Sequence, residues 1–441
     1  MLLYSTKNPA LRVTLKEAVM KGLPDDNGLF MPTRIPELPV DFIHDLRRYS
    51  FQEISLAIAE SLFQGAIPRK DLEAIVLHSI NFPAPVIRLD EHRYALELFH
   101  GPSLAFKDFG ARFMAQLMGY FNREEEQPLT ILVATSGDTG GAVAAGFFRT
   151  PGIEVVILYP SQKVSPLQEK QLTTWGHNIT ALEIDGTFDD CQSMVKQAFL
   201  DEALTQHLRL SSANSINIAR LIPQMFYYFE AFKQLPAAGG PIVFSVPSGN
   251  FGNLSAGLMA KKMGLPVQHF LAATNANDIV PKYLHTGIFS PRPSTPTLSN
   301  AMDVGNPSNF PRMLDLFPET NQRSTWNMIT QTLSGEGFSD QETENAMREI
   351  FSNYHYAMDP HGAVGYLALE RYQKEHPNTR GIVLETAHPS KFLPDVERIL
   401  GFRVPIPERL ASLEHIAKRS TFLKADFLEL KSFLLDKTNK K

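Results

Sequence analysis

The sequence predicts an α/β fold that is built on largely parallel sheets. Short runs of consecutive apolar residues, typical of strands buried on both faces, alternate with stretches of helical periodicity. The apolar runs are 130–134, 155–159, 242–246 and 382–384. The helical stretches between them suit the right-handed crossovers that join parallel strands. The 441 residues exceed the ~250–300 at which one hydrophobic core stops growing, so we expect more than one packed domain.

Three regions are expected along the chain. Residues 1–85 form a small N-terminal domain with helical patterning. Its helical stretches are 14–20 and 41–62. The Phe-Pro-Ala-Pro segment at 82–85 is expected to be extended, because each proline restricts the residue before it, and we place the first boundary there. Residues 86–402 form the α/β body, and residues 403–441, rich in Leu and Lys, form a helical C-terminal extension.

The composition excludes several classes of function. A net charge of −5 without clustered Lys and Arg argues against a nucleic-acid partner. Cys191 is the single cysteine, so an intramolecular disulfide and a cysteine-based metal site cannot form. Neither a signal-peptide pattern nor a run of ~18 apolar residues is present. We therefore expect a cytoplasmic protein with no metal, no nucleic-acid partner and no membrane partner.

The first candidate site is the glycine loop Ser248-Gly249-Asn250-Phe251-Gly252-Asn253. It follows the 242–246 run and precedes helical patterning over 254–263. Backbone N–H groups at the start of a helix bind anions, and the helix dipole favours the negative charge. We therefore predict a phosphate cradle, with a simple βα turn as the alternative. Because the loop matches neither the dinucleotide fingerprint nor the P-loop pattern, a nucleotide is not the favoured ligand.

The second candidate is Lys107, which follows the apolar run Leu104-Ala105-Phe106. Burial of a lysine lowers its pKa and frees the amine to form an imine. Lys107 is therefore a candidate Schiff-base lysine, and the alternative is a surface lysine that opens a helix. His100, nearby in the chain, is interpreted as a loop-capping residue, with orientation of a substrate as the other possibility.

The third candidate is the segment Thr135-Ser136-Gly137-Asp138-Thr139-Gly140-Gly141, which follows the 130–134 run. Hydroxyls, small residues and free N–H groups at the carboxyl edge of a strand suit a carboxylate or the polar edge of a cofactor. The alternative, a helix cap formed by Ser136 or Thr139, is compatible with that role.

Taken together, the motifs of this chain resemble the tryptophan-synthase-β-like class of pyridoxal-phosphate (PLP) enzymes, and within it the threonine synthase family. The motifs occur in the expected order along nearly the whole chain and several are close to family-specific. They are 28–32, 100–108, 136–140, 214–217 and 386–392. The resemblance implies PLP as cofactor and fold type II, in which two interleaved αβ subdomains with open, mostly parallel sheets enclose the site.

The resemblance also implies the roles of several residues toward the cofactor. Lys107 would hold the cofactor as an imine, and the glycine loop would bind its phosphate. The loop residues concerned are Gly249, Asn250, Phe251, Gly252 and Asn253. Asp138 would face the 3′-oxygen of the cofactor, where similar enzymes often carry an asparagine; a carboxylate accepts where an amide can donate. Thr386 would offer its hydroxyl to the pyridine nitrogen, and the alternative is a threonine that only ends a strand.

Four further residues are implied in substrate binding. Ser136 and Thr139 would contact the amino-acid part of the substrate. Ser215 and Arg220 would hold its phosphate, because the segment 214–220 resembles the one that does so in the family. The planar guanidinium of an arginine matches the oxygens of a phosphate, although an arginine on a helix more commonly forms a salt bridge.

The activity implied by the resemblance is conversion of O-phospho-L-homoserine and water to L-threonine and phosphate, by β,γ-elimination and addition of water at Cβ. Lys107, released from the cofactor, would act as the general base at Cα. Two alternatives stay open: a phospholyase that releases a 2-oxo acid, and a catalytically silent binding protein on the same scaffold. The sequence does not distinguish a monomer from a homodimer.

Overall fold

The computed structural model describes residues 1–439. The strands are β1 (Leu2–Ser5), β2 (Arg12–Thr14), β3 (Phe30–Pro32), β4 (Val86–Arg88), β5 (Arg93–Glu97), β6 (Leu129–Ala134), β7 (Ile153–Pro160), β8 (Ile179–Asp185), β9 (Arg209–Ser212), β10 (Ile242–Pro247), β11 (His269–Thr274), β12 (Leu333–Gly337), β13 (Arg380–Glu385) and β14 (Thr421–Lys424).

The α-helices are α1 (Leu15–Lys21), α2 (Val40–His44), α3 (Phe51–Phe63), α4 (Arg69–Ser79), α5 (Lys107–Asn122), α6 (Asp138–Phe147), α7 (Pro166–Thr173), α8 (Phe188–Leu200), α9 (Glu202–His207), α10 (Ile218–Leu221), α11 (Phe226–Gln234), α12 (Gly252–Lys262), α13 (Ile279–Thr286), α14 (Phe310–Asp315), α15 (Thr325–Ile329), α16 (Asp340–Tyr354), α17 (Pro360–Glu375), α18 (Leu393–Leu400), α19 (Glu408–Ala411) and α20 (Phe427–Asn439). Short 3₁₀ helices lie at Leu46–Arg48, Ile222–Met225, Asn300–Met302 and Pro389–Phe392.

Two parallel sheets form the body of the protein. The first has the strand order β14-β8-β7-β6-β9, and all of its strands are parallel. The second has the order β12-β11-β10-β13-β5-β4, and only the β4–β5 pair is antiparallel. Because β5 precedes the first sheet in sequence but pairs in the second, the two αβ units are interleaved. The α/β, fold type II prediction is confirmed.

Alternate residues of the strands face different hydrophobic cores. In β6, Ile131 and Val133 belong to a large core that also contains residues of the second sheet, such as Phe244. Leu132, which points the opposite way, packs in a smaller core with Leu430 of α20. A third core lies against α16 and α17. Both faces of the sheets are therefore buried, which explains why the strands are uninterrupted apolar runs.

The N-terminal region contains strands that its helical patterning did not predict. β1 pairs with β2 and β3 in an antiparallel sheet. The helix predicted at 14–20 is α1, which starts at a capping box of Thr14 and Glu17. The helical patterning at 41–62 corresponds to α2, a 3₁₀ turn and α3 rather than to one continuous helix. The break lies at Ser50, which forms a capping box with Glu53 and so starts a new helix.

The C-terminal extension is mostly helical and also supplies a strand. β14 adds to the first sheet beside β8, and α20 buries Leu430 and Leu434. Adding β14 covers the outer edge of β8, an edge that would otherwise expose unpaired backbone groups. Among the described residues, no helix is both long enough and apolar enough to cross a membrane. The domain boundaries at 85 and 402 stay proposals.

The strand order brings the predicted site segments together. In the first sheet, β6 lies between β7, the next strand in the chain, and β9, which comes later. In the second sheet, β10 lies in the same way between β11 and β13. Crevices open at the carboxyl ends of strands at such switch points. The segments that follow β6, β9, β10 and β13 are 135–141, 214–220, 248–253 and 386–392. The two crevices therefore contain four of the predicted segments.

Candidate active site

Lys107 is held at the start of α5 by the segment that follows β13. The N–H of Phe106 donates to the carbonyl of Thr386 at 2.8 Å, and the N–H of His388 donates to the carbonyl of Leu104 at 3.0 Å. These two bonds fix the loop that precedes the helix. The Lys107 side chain is 16 % exposed, so its amine is shielded from bulk water but still within reach of a small molecule.

The surroundings of Lys107 favour its neutral amine. Burial is the main cause that lowers the pKa of Lys107, and the positive charges of Lys391 and Arg220 act in the same direction. Asp138, whose Oδ2 lies 3.6 Å from Nζ, opposes this shift. A lysine with a lowered pKa is a better nucleophile and base at neutral pH. Lys107 does open a helix, but it is not the freely exposed lysine of the alternative interpretation.

Asp138 is positioned by the turn that links β6 to α6. Gly137 has φ +135°, a conformation that favours glycine, and the Thr135 hydroxyl accepts from the N–H groups of Gly137 and Gly140 at 3.0 and 2.9 Å. The Asp138 carboxylate accepts from Lys391 Nζ at 2.7 Å. Burial opposes ionisation, but the charges of Lys391 and Lys107 hold the pKa of Asp138 well below its ordinary value. Asp138 is therefore a carboxylate.

Three predicted substrate-binding residues are open to a ligand. Ser136 is exposed, whereas Thr139 and Ser215 are partly buried. Ser136 and Thr139 flank Asp138 in sequence, and Ser215 lies in the segment that follows β9. Their accessibility allows contact with a molecule that enters the crevices, and their role stays a prediction.

Arg220 is a buried cation with few partners. It is 4 % exposed, and its Nη1 donates to the carbonyl of Ala213 at 2.7 Å. Within residues 1–439, its Nε has no hydrogen-bond acceptor and no carboxylate forms a salt bridge with it. Burial lowers the pKa of Arg220 to about 10, and the Asp108 charge opposes this shift. A buried guanidinium that lacks acceptors is suited to an anionic ligand.

Arg220 also lies beside the helix that carries Lys107. A Cβ atom on Gly110 of α5 would lie 2.8 Å from Arg220 Nε. The carbonyl of Arg220 accepts from Gln224 Nε2 at 2.7 Å. Gln224 in turn lies near the glycine loop, because its Nε2 would be 3.8 Å from a Cβ on Gly252. The lysine, the arginine and the glycine loop therefore form one continuous site.

The glycine loop has space and donors for an anion. Gly249 is required for close packing, because a Cβ there would lie 2.8 Å from Met302 Cα. At Gly252, in contrast, an added Cβ would make only ordinary van der Waals contacts, and the nearest atom to it is Asn309 Nδ2 at 3.5 Å. That amide nitrogen is buried and has no acceptor among the described residues. Together with the N–H groups in the first turn of α12, it offers donors to a phosphate.

The polar side chains of the loop stabilise its conformation. Asn253 accepts from the Ser248 hydroxyl at 3.0 Å and donates to the Pro247 carbonyl at 2.9 Å. Asn250 Oδ1 accepts from the Ser308 hydroxyl at 2.8 Å. Phe251 has φ +59°, a left-handed conformation, and immediately precedes the first turn of α12. A ligand would therefore be bound through the backbone of the loop rather than through these amides.

Replacement of Gly252 tests the glycine loop. We expect Gly252→Asp to bind PLP about tenfold or more weakly than Gly252→Asn, because only the carboxylate repels a phosphate and competes for the N–H groups. The two side chains have the same shape, so the asparagine variant controls for steric effects. Absorbance titration with PLP measures both affinities. Equal affinities would show that the loop does not bind the phosphate.

Thr386 directly follows β13 and is adjacent in the chain to a buried acid. Thr386 is 6 % exposed, and its carbonyl fixes the lysine loop. Glu385, the preceding residue, is fully buried, and its Oε1 accepts from the N–H of Asp359 at 2.9 Å. Burial and then the charge of Asp359 raise the pKa of Glu385 well above its ordinary value. The protonated form of Glu385 is therefore favoured, which reduces the negative charge next to Thr386 in the chain.

The raised pKa of Glu385 makes stability depend on pH. A glutamate in the unfolded chain ionises above about pH 4.3, whereas folded Glu385 holds its proton, so the wild type loses stability as pH rises above that value. We expect Glu385→Gln to gain stability relative to the wild type between pH 5 and pH 8, by up to about 1.4 kcal/mol per pH unit. Urea denaturation at several pH values measures this, with exposed Glu349→Gln as control. A difference that does not change with pH would contradict the assignment.

Three residues of the site were not predicted from the sequence. Lys391 contacts Asp138, Gln168 Nε2 donates to Asp138 at 3.0 Å, and Asn309 faces the glycine loop. Lys391 lies in the recognised motif 386–392. A charged residue among Pro, Ser and Phe is the feature of the sequence that could have indicated its role. Gln168 and Asn309 lie in segments without a motif, and only the tertiary structure brings them to the site.

The fold and the site define a class of enzyme. Residues 80–385 match the family model described as pyridoxal-phosphate dependent enzyme, and the chain belongs to this class. Its cofactor is PLP, as predicted from the motifs. The uncrowded backbone at Gly252, the unpaired amide of Asn309 and the partly exposed side chain of Lys107 fit that cofactor.

More detailed comparisons define the family within that class. Residues 3–80 match the model of the threonine synthase N terminus, and residues 362–434 match the threonine synthase C-terminal model. The chain is 48 % identical to threonine synthase of Haemophilus influenzae, over 99 % of this chain and 100 % of that protein. The crystal structure of threonine synthase from Escherichia coli has 46 % identity and a TM-score of 0.90, and covers 99 % of this chain and 100 % of its own.

A structure that contains the cofactor is also similar. PLP-bound threonine synthase from Brucella melitensis has 34 % identity and a TM-score of 0.93, with 99 % of each chain covered. Identity of this degree over almost the full length shows the family. The chain belongs to the threonine synthase family.

Proposed function

We propose that the protein converts O-phospho-L-homoserine and water to L-threonine and phosphate. The observation that carries this proposal is the buried guanidinium of Arg220, which has no carboxylate partner among the described residues and lies beside the Lys107 helix. A phosphorylated amino acid carries a phosphate besides its α-carboxylate, and the planar guanidinium of an arginine matches the oxygens of that phosphate. Membership of the threonine synthase family supports the same substrate.

The residues that would hold the cofactor lie on both sheets. We propose that Lys107 binds its aldehyde carbon, that residues 249–253 bind its phosphate, and that Asp138 and Thr386 contact its ring. When bound, PLP would stabilise negative charge at the carbon atoms next to the imine. A hydroxyl such as that of Thr386 would not enforce protonation of the pyridine nitrogen, as a carboxylate would.

Lys107 would also transfer protons. Burial lowers the pKa of its amine, which favours the neutral form that can remove the proton from Cα of the substrate. Ser136 and Thr139, at the accessible end of α6, would orient the amino-acid part of the substrate. Arg220 and Ser215 would hold the phosphate while its bond to the substrate breaks, and the charge of Arg220 would stabilise the departing anion.

Product analysis tests the proposed reaction. Purified protein with PLP and O-phosphohomoserine is expected to release L-threonine and phosphate in equal amounts. Phosphate together with a 2-oxo acid and no threonine would instead show a phospholyase. Release of neither product by protein that contains bound PLP would show a binding protein without catalytic activity.

We also propose that the enzyme acts in the cytoplasm. Cys191 is buried and free, and burial raises the pKa of its thiol to about 12, which leaves it unreactive. A reduced, inert thiol suits a reducing compartment. Fractionation of cells followed by detection of the protein tests this placement, and recovery outside the cytoplasmic fraction would contradict it.

A further inference from the structure

A second buried lysine lies next to Lys107. Lys391, in the 3₁₀ helix Pro389–Phe392, is 2 % exposed. Its Nζ donates to Asp138 Oδ1 at 2.7 Å and to the carbonyl of Ser103 at 2.9 Å. The other oxygen of Asp138 lies 3.6 Å from Lys107 Nζ. One carboxylate therefore lies between two lysine nitrogens, and the proposed function uses only one of these lysines.

Few other charges surround this arrangement. The positive charge of Arg220 lowers the pKa of Lys107. The positive charge of Lys391 acts to lower the pKa values of Asp108 and His388. Asp108 is buried, accepts from the N–H of Ser103 at 2.8 Å, and has its pKa raised to about 6, mainly by burial. The pKa of His388 is lowered to about 4, again mainly by burial, so this ring is neutral at physiological pH. Asp138 is thus the carboxylate in contact with Lys107, and Lys391 is the cation in contact with Asp138.

The position of Lys391 has an electrostatic consequence for Lys107. A lone carboxylate 3.6 Å from a nitrogen that takes up a proton would strongly favour the protonated form, especially in a buried site. An ammonium group at 2.7 Å from the same carboxylate cancels most of that effect. Burying a lysine costs free energy, and a neutral donor could equally bind the Ser103 carbonyl. The charge of Lys391 therefore needs an explanation beyond loop structure.

We propose that Lys391 is a positioning residue that neutralises and orients the Asp138 carboxylate, and so sets the proton affinity of the Lys107 nitrogen in the cofactor-bound enzyme. This inference rests on the proposal that Lys107 carries PLP. In this inference, the charges of Asp138 and Lys391 cancel, and the pair acts on the Lys107 nitrogen as a group without net charge. Loss of Lys391 leaves the negative charge of Asp138 beside the Lys107 nitrogen, and loss of Asp138 leaves the positive charge of Lys391 there.

A set of charge variants tests the pair through the visible absorption of the PLP-loaded protein, titrated with pH. Lys391→Met, which removes the cation but keeps the length, is expected to raise the proton affinity of the Lys107 nitrogen about tenfold or more. Asp138→Asn is expected to lower it. The double variant is expected to return close to the wild-type midpoint, and Lys391→Arg to remain close to it. A structural role at Ser103 would not produce opposite shifts that cancel.

The outcomes separate this inference from the proposal on which it rests. Borohydride reduction and peptide mapping first locate the cofactor, and a label on another lysine overturns both. With the label on Lys107, a wild-type midpoint in Lys391→Met, or a double variant that behaves like Lys391→Met, overturns the role of Lys391 alone. If Lys391→Met does not fold, an unchanged midpoint in Asp138→Asn has the same consequence.

Discussion

Lys107→Ala is expected to abolish formation of threonine and phosphate, with kcat reduced by about 10⁴-fold or more, because one amine both holds the cofactor and moves the Cα proton. The variant should still fold, since removing a buried amine relieves a desolvation cost and α5 tolerates alanine at its first position. Activity assays together with circular dichroism measure both effects.

A matched control and a chemical label make this test specific. Lys374→Ala removes a surface lysine whose side chain is 71 % exposed, and it should leave activity unchanged. Reduction of the wild type with borohydride should place the phosphopyridoxyl group on Lys107, and the alanine variant should lose this label. Substantial turnover by Lys107→Ala would refute the assignment of Lys107 as the essential base.

Arg220→Met is expected to lower kcat/KM for O-phosphohomoserine by roughly 10- to 150-fold, because a charge-assisted contact worth ~1.5–3 kcal/mol is lost. The absorption of bound PLP should stay normal, since the proposed contact is with the substrate phosphate. Without substrate, the variant should be as stable as the wild type or more stable, because a buried cation without a carboxylate partner costs free energy.

A second buried arginine provides the contrast. Arg312 is fully buried, and its two Nη atoms donate to the Asn309 side chain at 2.7 Å and to the carbonyls of Phe30 and Ile216 at 3.1 and 2.6 Å. Arg312→Met should lose more than about 2 kcal/mol of stability, since buried acceptors lose their donor. Thermal unfolding of both variants measures the difference. If Arg220→Met keeps a normal kcat/KM, Arg220 does not bind the substrate phosphate.

The sequence predicted the body of the fold well and the two ends less completely. Uninterrupted apolar runs such as 242–246 occur where both faces of a strand are buried, so β6, β7, β10 and β13 could be recognised locally. The antiparallel sheet of β1–β3 could not, because its strands have three or four residues and little periodicity. The strand β14 was missed for the same reason, since its side chains are largely exposed.

The site shows the same division between local and long-range information. The motifs at Lys107, Asp138 and the glycine loop were visible because a turn, a helix start and a glycine at fixed spacing are local features. The contacts of Asp138 with Lys391 and Gln168 join residues 253 and 30 positions apart. No local pattern encodes which distant side chain balances a buried charge.

By itself, the sequence determined the fold class, the cofactor and the candidate residues, because strand burial and anion-binding turns leave local patterns and the motifs identify the family. Only the tertiary structure showed that Arg220 is a buried cation without a carboxylate partner among the described residues and that Lys391 is paired with Asp138. The physical reason is that pairing and desolvation of a charge depend on every element packed around it. Those elements come from separate strands and meet only where the two sheets open into their crevices.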